Sequence, residues 1–143
     1  LARKKSDMAG KVYVIVGDGE CQEGTTWESL LIAAKHQLDN LVLLVDYNKI
    51  QALNSVQNIL PLDDLSAKFK AFNWCVSEVL DGHDFEQIIT SLKTKSTKYT
   101  PSVIILHTTK GKGIKAFENS ADWHARKVKG DDIEIGRIAL GLN

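Results

Sequence analysis

Two runs of apolar, mostly β-branched residues stand out along the chain, and each ends in a cluster of polar residues. The first extends from Lys11 to Val16 and the second from Leu41 to Tyr47. Uninterrupted apolar runs of this length, bounded by turn residues, are typical of parallel strands that are covered on both faces. The pattern therefore predicts two buried strands of one sheet.

A helix is predicted between these two strands. Thr25 and Glu28 have the spacing of a capping box, so the helix should begin near Thr25, and Asp39 with Asn40 should end it. Its apolar positions follow the spacing of one buried face: Trp27, Leu30, Leu31 and Ala34. A right-handed crossover of this kind makes the strands parallel and brings both carboxyl ends to the same edge of the sheet.

The rest of the chain continues the alternation of strands and helices. The further predicted elements are an irregular loop from Gln51 to Leu62, helices from Leu62 to Phe72 and from Phe85 to Lys95, strands from Trp74 to Val79 and from Pro101 to Thr108, and a weak terminal helix from Asp131 to Leu140. The second of these helices should carry four apolar side chains on its inner face: Phe85, Ile88, Ile89 and Leu92. Four strands alternating with three helices predict the α/β class, with a mostly parallel sheet and helices on both faces.

Composition narrows the class of protein. The 143 residues, 43% of them hydrophobic, suffice for one domain with a buried core. Because 18 basic residues balance 18 acidic ones, no net field favours binding to nucleic acid or to an anionic membrane. No apolar run approaches the ~20 residues that span a bilayer, and the two cysteines form no metal-ligand spacing. Reduced thiols in a cytoplasmic protein are therefore expected.

The candidate chemistry lies where the strands end. Asp18 follows the first strand and Asn48 the second, so the crossover places them at one edge, where open α/β sheets bind ligands. A carboxylate, an amide oxygen and a nearby backbone carbonyl are hard ligands for Mg²⁺ or Ca²⁺, and the amides of Gly19 and Glu20 could face a phosphate. Each motif also has a purely structural interpretation, since Asp-Gly is among the commonest turn pairs.

A third strand end contributes to the same edge. The glycine-rich turn from Thr109 to Gly113 follows the last predicted strand, and His124 lies beyond it in a polar segment. Because the carboxyl ends of parallel strands share one edge, we expect the turn and the histidine near Asp18 and Asn48.

These residues carry a family resemblance. Gly17-Asp18-Gly19-Glu20 followed by Asp46-Tyr47-Asn48 resembles the signature of thiamine diphosphate enzymes, and the fuller string GDGECQEGTTWE, which ends at Glu28, resembles transketolases in particular. The resemblance continues through the segments Leu38-Asp39-Asn40-Leu41, Thr108-Thr109-Lys110-Gly111-Lys112-Gly113 and Trp123-His124. It therefore covers nearly the whole chain and implies the thiamine diphosphate-binding fold, truncated at its amino end.

The resemblance implies a role for each matching residue. Asp18 and Asn48 resemble the side-chain ligands of the divalent metal, and Ile50 resembles the residue that supplies a backbone carbonyl. The positions that resemble cofactor-binding residues are Gly17, Gly19, Glu20, Asn48, Lys110 and His124. His124 also resembles a catalytic histidine at the diphosphate end of the site, and its alternative interpretation is a surface histidine beside an exposed tryptophan.

One acidic residue of the same string resembles a residue of the family's subunit interface. Glu23 resembles a carboxylate that helps to couple paired sites, and the alternative is a solvated residue before a helix. Glu28 is assigned mainly to capping. Lys110, among the cofactor candidates, would line the thiazolium side.

Departures from the family pattern limit this interpretation. The family has Asp-Gly shortly after the metal-binding loop, whereas this chain has Leu53-Asn54. The family's upstream histidine-rich and glycine-rich segments would precede Leu1, and the glutamate that protonates the aminopyrimidine belongs to a separate pyrimidine-binding domain. Leu1 to Lys5 also resembles the end of a helix whose earlier turns are missing. We therefore expect residues 1–143 to be a single, incomplete diphosphate-binding domain, either a fragment or one subunit of a split protein.

The function that the resemblance implies is that of a transketolase-type transferase, which moves a two-carbon ketol unit between sugar phosphates. Such a chain would anchor thiamine diphosphate and act only with a pyrimidine-domain chain or C-terminal transketolase subunit, in a homo- or hetero-oligomer. One alternative is another thiamine diphosphate enzyme, such as a deoxyxylulose-phosphate synthase or a ketoacid dehydrogenase component, which the string from Gln22 to Glu28 disfavours. The other is a truncated interaction module that keeps the fold and dimerises without binding the cofactor.

Overall fold

The computed structural model describes residues 1–94 and 97–142, and in them strands alternate with helices. The strands are β1 (Val12–Gly17), β2 (Leu41–Tyr47), β3 (Cys75–Val79) and β4 (Ser102–His107). The α-helices are α1 (Ala2–Lys5), α2 (Gly24–Lys35), α3 (Val56–Ile59), α4 (Leu65–Ala71), α5 (Phe85–Lys93) and α6 (Asp131–Ala139). Two short 3₁₀ helices cover Asp18–Gln22 and Ala121–His124. The end predicted for α5, at Lys95, lies outside the described residues.

The four strands form one parallel sheet in the order β1-β2-β4-β3. Val16 of β1 pairs with Val45 of β2, which in turn pairs with Ile105 of β4. Helices pack on both faces of the sheet, so the predicted α/β class with a parallel sheet is confirmed. This parallel arrangement brings the carboxyl ends of all four strands to one edge.

The larger core lies on the face of the sheet that α2 and α4 cover. Its buried side chains come from both helices, from β2 and β4 and from the segment before β3, and they include Leu30, Leu43, Val45, Leu65, Phe69, Trp74, Val103 and Ile105. The ring of Trp27 packs against Phe69 and Phe72, with centroid distances of 5.7 and 5.2 Å. The indole nitrogen of Trp74 donates to the Leu30 carbonyl at 3.1 Å, so this buried donor is paired. These contacts fix α2, and with it the turn that carries Asp18.

A smaller core lies on the opposite face, beneath α5. Buried residues of three strands, Val42, Val79 and Ile104, pack there against Ile88 and Leu92. The other two predicted inner residues of α5, Phe85 and Ile89, are 78% and 46% exposed, and Leu31 of α2 is 58% exposed. The prediction is wrong for these three positions, because only a narrow line of each helix faces the sheet.

Strand β1 lies at an edge of the sheet, which differs from the sequence prediction. It pairs only with β2 among the described strands, and Val14, Tyr13 and Ile15 are 40%, 52% and 73% exposed. The prediction of a strand covered on both faces is therefore wrong for β1 within the described residues, although it is right for the central part of β2. An apolar run predicts the strand, but it does not tell which part of a molecule covers it.

Helix α2 begins close to the predicted residue, Thr25, but without the predicted cap. The helix begins at Gly24, and no side-chain cap of the kind predicted from Thr25 and Glu28 is present. Instead, the hydroxyl of Thr26 donates to the Glu20 carbonyl at 2.7 Å. This bond fastens the first turn of α2 to the 3₁₀ helix that precedes it.

Polar side chains cap two further helices, α3 and α4. Helix α3 was not predicted, and helix α4 begins later than predicted. The short helix α3 lies in the stretch predicted to be irregular, and Ser55 Oγ accepts from the Asn58 amide at 3.2 Å at its start. Helix α4 begins at Leu65 rather than Leu62, since Asp64 accepts from the Ala67 amide at 2.8 Å. None of the helices in the described residues has the length and apolar character needed to cross a bilayer.

Candidate functional site

A cavity of about 420 Å³ lies at the carboxyl edge of the sheet. The residues that line it include every metal and cofactor candidate of the sequence: Gly17, Asp18, Gly19, Glu20, Asn48, Ile50, Lys110 and His124. Glu23, Asp46, Gln51 and Ala52 complete the lining. The fold therefore brings the ends of β1, β2 and β4 to a single cavity, while the role of each residue in binding stays a prediction.

Asp18 is the buried anion of this cavity. It is 2% exposed, and one of its carboxylate oxygens accepts a hydrogen bond from the Lys49 amide. Burial raises the pKa of Asp18 above its ordinary value, and the nearby Asp46 carboxylate raises it further. Among the ion pairs of the described residues, none includes Asp18. A buried carboxylate without a cationic partner is unfavourable, so this environment suits a bound cation.

The loop after β2 adds two uncharged oxygens. Asn48 Oδ1 accepts from the Ile50 amide at 3.0 Å, which closes an Asx turn. Lys49, between them, has a φ of 66°, and this left-handed conformation lets its amide reach Asp18. Within the described part of the chain, no hydrogen bond is accepted by the Ile50 carbonyl. The side-chain oxygen of Asn48 and this carbonyl can therefore both serve as ligands.

The donor set fits a hard divalent cation. A carboxylate, an amide oxygen and a backbone carbonyl, from Asp18, Asn48 and Ile50, leave further coordination positions for phosphate oxygens and water. In the described ranges, no group of three His, Cys, Asp or Glu side chains could hold a metal ion. The three donors named above are all oxygens, and this oxygen set favours Mg²⁺ or Ca²⁺.

The turn after β1 is held by its own acidic side chain. The Glu20 carboxylate accepts from the Gly17 amide at 2.8 Å. Beneath it, Cys21 is 1% exposed, and burial raises the pKa of its thiol to about 12. This thiol therefore stays protonated at neutral pH and is unreactive. The sequence predicted Glu20 as a cofactor contact, and the structure shows that its carboxylate also stabilises the turn.

Lys110 and His124 meet on the far side of the cavity. The ammonium Nζ of Lys110 lies 3.2 Å from Nδ1 of His124. Because an ammonium group can only donate, Nδ1 must be the acceptor and the ring proton must sit on Nε2. The pair therefore presents a positive charge and an N–H donor, the groups that bind phosphate oxygens.

The turn that carries Lys110 requires glycine. Gly111 has a φ of 74°, and a Cβ atom there would lie 2.5 Å from the Phe117 carbonyl oxygen. Phe117 in turn stacks on Trp123, with 3.8 Å between ring centroids, and Trp123 is only partly exposed. His124 is an exposed residue directly after this anchored tryptophan. The alternative interpretation of His124 assumed an exposed tryptophan beside it. Trp123 instead packs on Phe117 and supports the turn.

Sequence reasoning missed Asp46 as a residue of the site. The Thr108 hydroxyl donates to one oxygen of the Asp46 carboxylate, and Asn48 Nδ2 lies 3.5 Å from the other. Asp46 therefore connects the ends of β2 and β4. The sequence did offer a signal for its location, because Asp46 is the acidic residue at the end of the apolar run of β2, two positions before Asn48.

The loop that departs from the family pattern still forms a closed turn. The Gln51 amide donates to the Asn54 carbonyl at 3.0 Å, and Asn54 Oδ1 accepts from the Ser55 amide at 2.7 Å. The side chain of Gln51 donates to Gln22 at 2.8 Å, which ties the loop to the turn after β1. Asn54 thus stabilises this turn without a glycine.

Glu23 and Glu28 are both exposed within the described chain. Glu23 reaches the rim of the cavity, whereas Glu28 lies on α2 and makes no cap. No ion pair of the described residues involves either glutamate. The interface role suggested for Glu23 stays a prediction.

Comparison with known families shows which proteins this chain is similar to. The sequence model described as "Transketolase, thiamine diphosphate binding domain" matches residues 3–143. The chain is 40% identical over 135 residues to an apulose-4-phosphate transketolase subunit of Actinobacillus succinogenes, covering 94% of this chain and 49% of the relative. It is 37% identical over 129 residues to the 6-deoxy-6-sulfo-D-fructose transketolase subunit SqwG of a Clostridium species, and the match covers 90% of this chain and 46% of that relative.

Solved structures show the same fold. The transketolase of Campylobacter jejuni superposes with a TM-score of 0.85 at 29% identity, over 95% of this chain and 21% of that protein. A transketolase of Pichia stipitis superposes equally well, with a TM-score of 0.85 at 30% identity, over 95% of this chain and 20% of that one. The chain thus spans about half the length of the curated subunits it matches and about a fifth of these larger enzymes.

Proposed function

Because the chain belongs to the transketolase family, as its thiamine diphosphate-binding domain, we propose that it anchors thiamine diphosphate through a divalent metal and serves a two-carbon ketol transfer between sugar phosphates. The observation that carries this proposal is the buried Asp18 carboxylate, which lines the cavity at the strand ends and has no cationic partner in the described chain. A metal ion bound to a diphosphate would neutralise it.

The metal ligands that we propose are Asp18, Asn48 and the Ile50 carbonyl, with Mg²⁺ or Ca²⁺ as the ion. All three residues line the cavity, and their oxygens are of the type that these ions prefer. Two of them lie on a loop that is fixed by the Lys49–Asp18 hydrogen bond. The donors would therefore need little rearrangement on binding.

Lys110, His124 and the backbone of Gly17, Gly19 and Glu20 would bind the cofactor. The ammonium of Lys110 and the Nε2–H of His124 can each donate to an anionic oxygen, and both line the cavity. When bound, thiamine diphosphate supplies the nucleophilic carbon that allows cleavage of a carbon–carbon bond next to a carbonyl. The residues of this chain would bind and orient the cofactor, and His124, the candidate catalytic histidine, would hold a proton at Nε2 toward the cavity.

The whole activity would require a second polypeptide. Two curated relatives, each about twice the matched length, are named as subunits of transketolases and not as whole enzymes. The partner that we propose is a pyrimidine-domain chain or C-terminal transketolase subunit, in a homo- or hetero-oligomer. The apolar edge strand β1, where Ile15 is 73% exposed, offers a surface that association would cover. A cytoplasmic location is proposed on the ground that Cys21 and Cys75 are both free thiols.

A second candidate function is a non-catalytic interaction module. The exposure of β1 favours it, because that surface needs no cofactor to associate. The buried Asp18 argues against it, because its carboxylate belongs to none of the ion pairs of the described residues, and burying a carboxylate without a cation is unfavourable.

Thermal unfolding with added ligands separates the two functions. Thiamine diphosphate with Mg²⁺ should raise the unfolding temperature of the chain mixed with its partner, because a ligand that binds only the folded state stabilises it. Neither Mg²⁺ alone nor thiamine diphosphate with EDTA should give the same shift. If the temperature stays constant in the mixture with both ligands present, the interaction module is the better description.

Calorimetric titration of the Asp18→Ala variant tests the metal assignment itself. The variant should lose Mg²⁺-dependent cofactor binding in the assembled complex. Binding as tight as that of the unmodified chain would show that Asp18 is not a metal ligand.

A further inference from the structure

The turn after β3 is held unusually close to the end of β4. The Gly82 amide donates to the His107 carbonyl at 2.7 Å. A Cβ atom at Gly82 would lie 2.6 Å from Thr108 Cγ2 and 3.0 Å from the His107 oxygen, so no larger residue fits. This contact places the next residue, His83, beside the backbone that leads to Lys110.

The conformation of His83 is fixed from both sides along the chain. Its backbone amide donates to Asp81 Oδ1 at 3.0 Å, and the following residue, Asp84, accepts from the amides of Glu86 and Gln87 as the cap of α5. His83 is partly buried between these two polar turns. The backbone of His83 is therefore held by local structure, and the ring is oriented by the contact that its side chain makes.

That contact is a hydrogen bond to the main chain. The Thr109 amide donates to Nε2 of His83 at 2.8 Å. A ring nitrogen accepts only when it carries no proton, so the structure requires the neutral imidazole with its proton on Nδ1. No other side chain of the described residues accepts from this amide, and the bond holds the peptide between Thr108 and Thr109, one peptide before the one that joins Thr109 to Lys110.

The residues on either side of Thr109 make contacts with other parts of the chain. The Thr108 hydroxyl donates to Asp46, beside the proposed metal loop, and the Asn119 amide donates to the Lys110 carbonyl at 3.0 Å. The Thr108 amide also donates to the Tyr47 carbonyl at 3.3 Å, and the Thr109 carbonyl accepts from the Lys112 amide at 3.2 Å. Among these contacts of the segment from Thr108 to Lys110, the bond to His83 is the one that comes from the β3 side of the sheet. Lys110 Nζ then lies 3.2 Å from His124 Nδ1 at the cavity.

We propose that His83 is a positioning residue: its neutral imidazole accepts from the Thr109 amide and thereby sets the backbone that aims Lys110, and through it His124, into the cavity. Its consequence for cofactor affinity rests on the proposed function, whereas the local positioning does not. The residue itself does not line the cavity.

Nuclear magnetic resonance of the unmodified, ¹⁵N-labelled chain tests the hydrogen bond directly. A scalar coupling across the hydrogen bond, between the Thr109 nitrogen and His83 Nε2, should be detected, and the ring should give the nitrogen shifts of the Nδ1–H tautomer. A proton on Nε2, or the lack of any coupling in a spectrum that resolves both nitrogens, would overturn the proposal without the use of a variant.

Two matched substitutions test the positioning. His83→Gln keeps an acceptor near the position of Nε2, whereas His83→Phe keeps a planar ring and removes the acceptor. In the Phe variant the Lys110 amide and the His124 ring signals should shift, and in the Gln variant they should stay close to those of the unmodified chain. Equal shifts in both variants, or shifts in neither, would show that the acceptor does not position these residues.

Cofactor affinity extends the test to the proposed site. With thiamine diphosphate and Mg²⁺ as the probe and the partner chain present, affinity should fall about tenfold in His83→Phe, since an amide is left without an acceptor, and less than about twofold in His83→Gln. Unchanged affinity in His83→Phe would overturn the effect on binding. If the unmodified complex binds no cofactor, the proposed function fails, while the spectra still decide whether His83 positions Lys110.

Discussion

Two carboxylates, Asp18 and Asp39, show how differently the two edges of the sheet are built. Asp39, at the amino edge just before β2, accepts from the Lys4 ammonium at 2.7 Å and from the Tyr99 amide at 2.9 Å, and these bonds hold its pKa below the ordinary value. Asp18, at the carboxyl edge, is 2% exposed, and burial raises its pKa. Asp39 has both an ion-pair partner and a backbone donor, whereas Asp18 has backbone donors but belongs to none of the ion pairs of the described residues.

This difference indicates which edge is built to bind a ligand. Buried charges in folded proteins are usually paired with an opposite charge, so a buried carboxylate outside every ion pair of the described residues calls for a specific reason. The amino edge needs no ligand to explain its carboxylate, because Asp39 pairs with Lys4 and thereby stabilises the fold. The carboxyl edge places its carboxylate beside Asn48, Ile50 and Lys110 in one cavity. We therefore attribute Asp18 to function and Asp39 to stability, and the predictions below test that division.

The largest effect is expected on cofactor binding when the two aspartates are replaced by alanine. Asp18→Ala should weaken Mg²⁺-dependent binding of thiamine diphosphate by more than about 100-fold, because removal of a metal ligand should exceed the 10- to 100-fold loss typical of residues that only support one. Asp39→Ala should leave the affinity unchanged. Calorimetry on the assembled complex measures both, and comparable losses in the two variants would contradict the division.

The second prediction concerns the lysines that serve the two edges. Lys110→Met should weaken cofactor binding about tenfold, since a hydrogen bond from a charged donor is worth roughly 1.5–3 kcal/mol. The loss should diminish at high salt. Lys4→Met removes the cation that pairs with Asp39 and should reduce only the stability. Titrations at two salt concentrations test this, and an equal loss of affinity in Lys4→Met would indicate a general rather than a local effect.

Much of the fold follows from the sequence because it depends on local patterns. Strand β2 was predicted with its observed bounds, Leu41–Tyr47, since its apolar residues lie at the centre of the sheet and are covered on both faces. The exposure of Ile15 could not be predicted, because an apolar run of this length fits an edge strand as well as a central one. The start of α2 was predicted to within one residue, but the capping box of Thr25 and Glu28 does not form, and the Thr26 hydroxyl bonds to the preceding turn.

For the site, residue types at strand ends predicted which residues would meet, but not how they are supported. Asp18 and Asn48 share one cavity because parallel strands end at one edge. The contacts of Asp46 with Thr108 and of His83 with Thr109 depend on the strand order, in which β4 lies between β2 and β3. That order is set by long-range packing, and no spacing in the sequence reports it.

The third prediction concerns the free energy of unfolding in the absence of ligand. Removal of the carboxylate charge should change it in opposite directions at the two edges. In EDTA, Asp18→Asn should raise the free energy of unfolding by about 1 kcal/mol, since it relieves an unpaired buried charge. Asp39→Asn should lower it by about 0.5–1 kcal/mol, because a partly exposed ion pair and its hydrogen bond are weakened. Urea unfolding gives both values. A loss of stability in Asp18→Asn would mean that its carboxylate already stabilises the ligand-free fold.

The fourth and smallest effect is on the pH dependence of stability. The pKa of Asp39 is lowered in the folded state, so its stabilising contribution is present above its ordinary value of 3.8 and is lost as the pH falls through the lowered pKa. The pKa of Asp18 is raised, so its contribution is present below 3.8 and is lost as the pH rises through the raised pKa. The two carboxylates therefore give slopes of opposite sign.

Urea unfolding at a series of pH values separates these slopes. Asp39→Asn should flatten the loss of stability in acid, below pH 3.8, and leave the region above it unchanged. Asp18→Asn should remove a decline that begins above pH 3.8. Addition of Mg²⁺ should suppress the decline caused by Asp18 and leave the acid limb of Asp39 as it is, because only the first carboxylate lacks a cation of its own. A Mg²⁺ effect of equal size on both limbs would mean that the ion acts on the whole surface and not at the carboxyl edge.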